Sequence, residues 1–341
     1  MQSFEMTILR QTSRGCKRLR ARKYKPYRTN DFWIRERGKW RLIRAHKIQD
    51  RQIYKSFCRY ELKPMTEGRI LASNSASQIA KGTDHSINRF KRVLAKAVRK
   101  WGRDFYVITY DDHDYFGSMP HDKIKESIKM SDEGSRWMLE QYVDIFQGDT
   151  GIGIGGEPSQ DIAVVYQSKV DRMVACDPAV IGSGRYMDDG FAVVHKKEDA
   201  ERILKEIINA SENLGLVVNM KRTKISYMKK DTVVWLKKRT HIDKDTGKIV
   251  MQLSRKNVRD EIRNIKRQKK LITKGEMPKE TAFISMECWM SYAGKYDSRK
   301  QAVRVLNIFM EEFGVPWETA KILLRRKHKG WMKICKTKGL I

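Results

Sequence analysis

At 341 residues the chain is longer than one compact core needs, so two or three sub-domains are expected. An apolar content of 40% supplies a real core and excludes global disorder. Lys plus Arg number 71 against 41 Asp plus Glu, and the resulting +30 repels itself unless a polyanion is bound, which puts nucleic acid ahead of an anionic membrane as the partner.

In chain order, residues 10–28 hold nine Lys or Arg and no acid, with Cys16, Leu19, Tyr24 and Tyr27 interleaved. Such a block reads as an arm on RNA or DNA, against the plainer reading of a solvated surface. FWIRERGKWRLIRA (32–45) predicts a basic β-hairpin turning at 36–38, and IQDRQIYKSFCRYEL (48–62) has helical spacing. A helix is predicted over 83–101, with Ile87, Phe90, Leu94, Ala97 and Trp101 on one face and Thr83 or Asp84 as cap. FYVITYDD (105–112) reads as a strand, HDKIKESI as the start of a helix, GDTGIGIGGEPSQ (148–160) as a glycine-rich loop and DIAVVYQSKVDRMV as a buried helix. Residues 180–194 predict two short strands around Asp188 and Asp189, and 200–214 an amphipathic helix. LGLVVN and TVVWLKK predict strands, and 255–274, with nine basic residues against two acids, a helix buried along Val258, Ile262 and Ile265. The tail, 321–338, has eight basic residues and no acid. This order implies an α+β fold with helices on one face of a sheet.

Five cysteines (Cys16, Cys58, Cys176, Cys288 and Cys335) show no CxxC spacing, so neither a zinc site nor a disulfide framework is indicated, and a reducing cytoplasm fits. The apolar runs fall far short of the roughly 20 residues of a membrane span. The basic start lacks the apolar core of a signal peptide.

The chemistry is carried by carboxylates. Asp111 ends a predicted strand, and Asp188 and Asp189 sit at a hairpin tip. A sheet that aligns these strands gathers three acids, which repel unless a hard cation joins them. Two Mg²⁺ ions about 3.5–4 Å apart can clamp the attacking and leaving oxygens of a phosphoryl transfer. A bare pair of aspartates is more often a surface turn. Here Tyr-Met precedes the pair and an apolar strand follows it.

RYMDDGFAVV resembles the YxDD motif of reverse transcriptases. The similarity runs from about residue 35 to 240, through KWRLIRA, KGTDHSINRF, VITYDDHDYFGSMPHDKI, GIGIGGEPSQ, LGLVVNMKRTK and VVWLK. It implies a right-hand polymerase with fingers, a palm built on an antiparallel sheet and a helical thumb. The divisions are then 1–30 basic arm, 31–250 fingers and palm, and 251–341 thumb and tail. Asp111, Asp188 and Asp189 become the catalytic, metal-holding residues for two Mg²⁺, with Mn²⁺ as substitute. The resemblance places Lys39 and Arg41 on the incoming triphosphate and Phe116 as the steric gate selecting dNTPs. Ile154, Gly155, Ser159 and Gln160 fall in the loop under the nascent base pair. Lys221, with Arg222 as rival, assists pyrophosphate release. VVWLK falls where the family has its primer grip.

The loop departs from the family's Gln-Gly-x-x-x-Ser-Pro, having Ile154 for Gln and Gln160 for Pro. That pattern resembles the mutagenic enzymes of diversity-generating retroelements, although phage-defence enzymes also depart here. The implied partners are an RNA template, a dedicated noncoding RNA among the candidates, with dNTPs and a cDNA product. An accessory subunit or a homo-oligomer stays open, and no membrane is involved. The competing readings are an RNA-copying RNA polymerase, against which Phe116 argues, and a catalytically inert RNA-binding protein on the same fold. Taken singly, Phe116 could be a core aromatic, the glycines a plain loop, and Trp235 and Trp289 packing residues. His113 lacks metal-ligand spacing.

Overall fold

In the computed structural model the described residues are 7–36, 39–325 and 330–341, and the side chains of Glu36 and Lys39 lie outside that description. The chain divides into two compact units, Met1–Tyr227 and Met228–Ile341.

The first unit opens with α1 (Ile8–Arg20), basic and largely exposed. The arm that follows is tied down, because the Tyr24 hydroxyl donates to buried Asp50 at 2.6 Å and the Tyr27 N–H to the same carboxylate at 3.0 Å. Next come the hairpin β1 (Asn30–Glu36) and β2 (Lys39–Ala45), then α2 (Ile48–Phe57). The helix predicted through residue 62 instead widens into a π-helical turn at Cys58–Leu62 before α3 (Lys63–Glu67). Helix α4 (Thr83–Trp101) buries Ile87, Phe90, Leu94 and Ala97 as the spacing requires. Neither Thr83 nor Asp84 caps it. The cap position is Gly82, whose φ of 129° suits a residue without Cβ, and Thr83 is already helical.

Strand β3 (Tyr106–Asp111) leads through α5 (Tyr115–Ser118), α6 (His121–Ser127) and α7 (Glu133–Val143) to the glycine loop. The single buried helix predicted after it is two, α8 (Glu157–Tyr166) and α9 (Ser168–Cys176), broken at Gln167. Then follow β4 (Val180–Tyr186), β5 (Asp189–Val194), α10 (Lys197–Asn213) and β6 (Lys224–Tyr227). The four strands form an antiparallel sheet in the order β4-β5-β3-β6.

Helices cover both faces of this sheet rather than one. Side chains alternate along β5. Ala192 and Val194 join Ile108, Val170, Ala200, Ile203 and Ile207 in a core against α9 and α10. Phe191 points the other way and meets Phe90 of α4 edge-on, with ring centroids 4.9 Å apart.

LGLVVN is not a ladder strand. It meets the end of β3 through the Asn219 N–H bond to the Asp111 carbonyl and, just beyond, an isolated bridge from Asp112 to Val218, after its own Gly215, at φ 74°, has turned the chain out of α10.

The second unit starts with a three-stranded antiparallel meander, β7 (Val233–Trp235), β8 (Lys238–Ile242) and β9 (Ile249–Leu253). The predicted strand TVVWLKK stops at Trp235, since Leu236 and Lys237 take φ of 43° and 67° to make the turn. Helices α11 (Arg255–Thr273), α12 (Lys279–Ala293), α13 (Arg299–Phe313), α14 (Trp317–Ala320) and α15 (Trp331–Thr337) follow. Their core stacks Phe283 on Trp331, and Val258 and Ile265 are buried while Ile262 is partly so. Trp235 is buried and Trp289 packs against the helical core.

Candidate active site

The sheet brings the ends of three strands together. Asp111 is the last residue of β3 and lies directly opposite Asp189, the first of β5. Asp188 occupies the two-residue turn between the paired residues Tyr186 and Asp189. Met187, the other turn residue, is left-handed at φ 55°. The glycine after the pair is dictated by packing, because a Cβ at Gly190 would collide with the ring of Tyr110, its cross-strand partner.

Asp111 is 2% exposed. Asn219 holds it twice, its backbone N–H donating to the Asp111 carbonyl at 2.7 Å and its amide to Oδ2 at 3.2 Å. The Arg222 guanidinium lies 2.8 Å from Asp111 Oδ1 and 3.8 Å from Asp189 Oδ1. Burial, and then the charges of Asp188 and Asp111, push the Asp189 carboxyl up to about 7, against the pull of Arg222. Crowding of this kind makes the ionised cluster a strong attractor of cations. Asp112 is engaged elsewhere: its Oδ2 accepts from Gln167 Nε2 at 2.6 Å. Burial foremost raises it to about 7, with the charges of Asp188 and Asp111 adding.

Of Lys221 and Arg222, it is Arg222 that reaches the aspartates, while Lys221 is exposed. Asn219 escaped the sequence reading altogether. Its only sign there was an amide ending an apolar run.

The other candidate residues spread over neighbouring elements. The side chain of Lys39 lies outside the described residues, and Arg41 is exposed on β2 opposite Ile34. Phe116 is half-buried on α5, edge-on to Tyr115, and its carbonyl accepts from the Ile152 N–H at 2.8 Å. Ile154 pairs with Ile43 of β2, and its carbonyl accepts from the Arg44 N–H at 2.9 Å. Gly155 follows at φ 127°, where a Cβ would lie 3.0 Å from the Arg44 carbonyl, so the close approach of loop to hairpin requires glycine. Ser159 does not open on the site. It is fully buried, its hydroxyl 2.6 Å from that of Tyr142, and anchors the start of α8. Gln160 is half-buried and its Oε1 accepts from Ser77 Oγ at 3.3 Å.

Under the loop sits His46, 7% exposed, with ring centroids 5.0 Å from Tyr54 and 5.5 Å from Tyr142. Neither ring nitrogen has a hydrogen-bond partner among the described residues. Burial first, and then the charge of Arg51, depress this histidine to about 4, with Asp31 opposing.

A second group of ligand-type atoms, from Cys58, Glu157 and Asp161, lies within 4.8 Å of one another. Lys63 already supplies a cation there, 2.9 Å from Glu157 and 3.6 Å from Asp161, so this group reads as an ion-paired joint between α3 and α8.

Residues 25–259 match the sequence profile described as reverse transcriptase (RNA-dependent DNA polymerase). No curated protein matches the chain. Among solved structures, apo telomerase from Candida tropicalis is similar at 11% identity and TM-score 0.51, over 86% of this chain and 58% of that one. The RNA-dependent RNA polymerase of a human picobirnavirus is similar at 13% identity and TM-score 0.52, again over 86% and 58%. This chain thus spans less than two thirds of either structure, and at such identities the likeness speaks to fold, a right-hand polymerase of α+β class. No described helix is long and apolar enough to cross a membrane.

Proposed function

Because the chain belongs to the reverse transcriptase (RNA-dependent DNA polymerase) family, we propose that it copies an RNA template into cDNA, with Asp111, Asp188 and Asp189 as its catalytic carboxylates. The observation that carries this reading is the register that sets Asp111 against Asp189 with Asp188 in the adjoining turn. Residues from two distant segments meet there, and burial first, then the charges of Asp188 and Asp111, raise the Asp189 carboxyl.

The donor set suits a hard divalent cation. It is all carboxylate oxygen, on strand ends fixed by the sheet, and Asn219 orients Asp111. The family uses divalent metal ions. We assign Mg²⁺, two ions, to Asp111, Asp188 and Asp189, with Mn²⁺ as a substitute; bound there, the ions supply charge stabilisation for the phosphoryl transfer. The protein groups do the rest. Arg222 shares oxygens of Asp111 and Asp189 and is placed to exchange them for phosphate. Lys39 and Arg41 are assigned to the triphosphate, and Phe116 to exclusion of a ribose 2′-OH. Ile154, Gly155 and Gln160 form the floor under the base pair, with Ser159 anchoring it. Residues 251–341, with the basic α11, are assigned to the thumb and to template–primer phosphates.

The setting we favour is a bacterial or phage retroelement or an anti-phage defence system. The loop residues Ile154 and Gln160 support the narrower alternative, a mutagenic enzyme of a diversity-generating retroelement. Labelled dNTP incorporation on primed RNA with Mg²⁺ tests the core reading. Wild type should incorporate, and Asp188→Ala should be reduced by about 10³-fold or more. Equal inertness of both across templates and co-expressed RNA would make the chain a binding protein. Incorporation of NTPs in preference to dNTPs would make it an RNA polymerase. Sequencing cDNA in the native host separates the settings: adenine-directed errors indicate mutagenic retrohoming, and short or repetitive products from a structured RNA indicate defence.

A further inference from the structure

The arginine of RYMDD is the largest charged side chain buried in the first unit that the proposed chemistry leaves without a role. Arg185 lies on β4 and is 1% exposed. Its three guanidinium nitrogens donate in three directions. Nε meets Asp171 Oδ1 of α9 at 2.7 Å. Nη2 meets the Val164 carbonyl at 2.6 Å, in the last turn of α8, where carbonyls lack helical partners. Nη1 meets the Met187 carbonyl at 2.9 Å. Its own backbone is gripped as well, since the Ser75 N–H donates to the Arg185 carbonyl at 3.1 Å and the Arg185 N–H to the Ser73 carbonyl at 3.3 Å.

Burying a guanidinium is costly, and a charge partner alone does not require an arginine. What demands its planar fork is the third acceptor. Met187 precedes Asp188 in a two-residue turn and is held left-handed at φ 55°, a conformation a side-chain-bearing residue adopts at a cost and keeps only when its surroundings impose it. We propose that Arg185 is a positioning residue for the reaction, holding the Met187 carbonyl against the ends of α8 and α9 and thereby fixing where the turn presents Asp188 to Asp111 and Asp189. The proposal rests on the polymerase reading for its kinetic consequence, but not for its structural one.

Two variants separate a positioning role from a merely structural one. Arg185→Lys keeps a cation for Asp171 but has no fork to reach Met187 as well. Asp171→Asn disturbs the same buried pair and leaves the bond to Met187. In Arg185→Lys, amide hydrogen exchange over residues 186–190 should quicken by about tenfold, the worth of one net hydrogen bond. The Mg²⁺ concentration giving half-maximal incorporation should rise by a similar factor, about tenfold, with KM for dNTP within about twofold. Asp171→Asn should leave both readouts within about threefold of wild type. Unchanged exchange and Mg²⁺ requirement in Arg185→Lys, or equal changes in both variants, overturn the proposal. Should Arg185→Lys fail to fold, the paired change Arg185→Gln with Asp171→Asn removes both charges together and leaves none uncompensated. Its shorter amide cannot span to Met187, so unaltered turn exchange there refutes the clamp. Exchange is read without nucleotide or metal, so an inert wild-type enzyme sinks the polymerase reading while the clamp is still decided.

Discussion

Single side chains set the tolerances of the site. Gly190 is there because Tyr110 fills the space a Cβ would need. Gly190→Ala should cost about 1–3 kcal/mol through overpacking and depress dNTP incorporation, because the strain falls beside Asp189; thermal melting and steady-state assays would show it. His46 gives a pH signature. Its folded pKa of about 4 lies below the ordinary histidine value, so the neutral ring is the favoured form. The stability this represents is complete above about pH 6.5 and is lost as pH falls toward 4, on the order of 3 kcal/mol in all. His46→Phe should flatten that acid-side loss in melting curves taken from pH 7 to 4, and an unchanged slope would assign it to other groups. At this scale the sequence was informative where chemistry is written in a motif, as at Asp111, Asp188 and Asp189. It was silent on Asn219 and Arg185, whose importance comes from which carbonyl or carboxylate the fold brings within reach.

Between elements, local patterns carried the long amphipathic helices and the hydrophobic strands, and failed at their ends. Helix α4 was legible from its apolar spacing, yet its cap was not, since Gly82 acts through backbone conformation and not through a side chain. The break at Gln167 was invisible because residues on both sides of it are apolar enough to be buried either way. LGLVVN has a strand's composition, but β3 ends before it can be paired along its length. The glycine loop depends on one such tertiary contact, the hydroxyls of Tyr142 and Ser159. Tyr142→Phe strands the buried serine and should cost about 1–3 kcal/mol. We expect KM for dNTP to rise several-fold with kcat little changed, which single-nucleotide kinetics would measure.

Over the whole molecule the excess of 71 basic over 41 acidic residues sets the terms of binding. If α1, α11 and the tail track phosphates, affinity for an RNA–DNA hybrid is dominated by counterion release. An enzyme making 6–10 phosphate contacts should lose on the order of 10³–10⁵ in affinity between 50 and 200 mM salt. Fluorescence anisotropy across that range checks this, and a flat response would mean that the charge faces solvent. From the sequence we expect a polyanion partner and two or three sub-domains, and the structure has two compact units. The sequence could not place the division at Tyr227/Met228, which follows from how strands pair and not from a change in composition.

The backbone link from Arg44 to Ile154 joins two segments more than a hundred residues apart in the chain. One is the hairpin ribbon carrying Arg41, proposed to grip the triphosphate, and the other is the glycine loop, proposed as the floor beneath the base pair. Through that rivet a nucleotide drawing the ribbon inward would also tug on the floor, so tightness of grip and accuracy of copying should vary together. Lesions on the outer ribbon would then leave their trace in the error spectrum of the product.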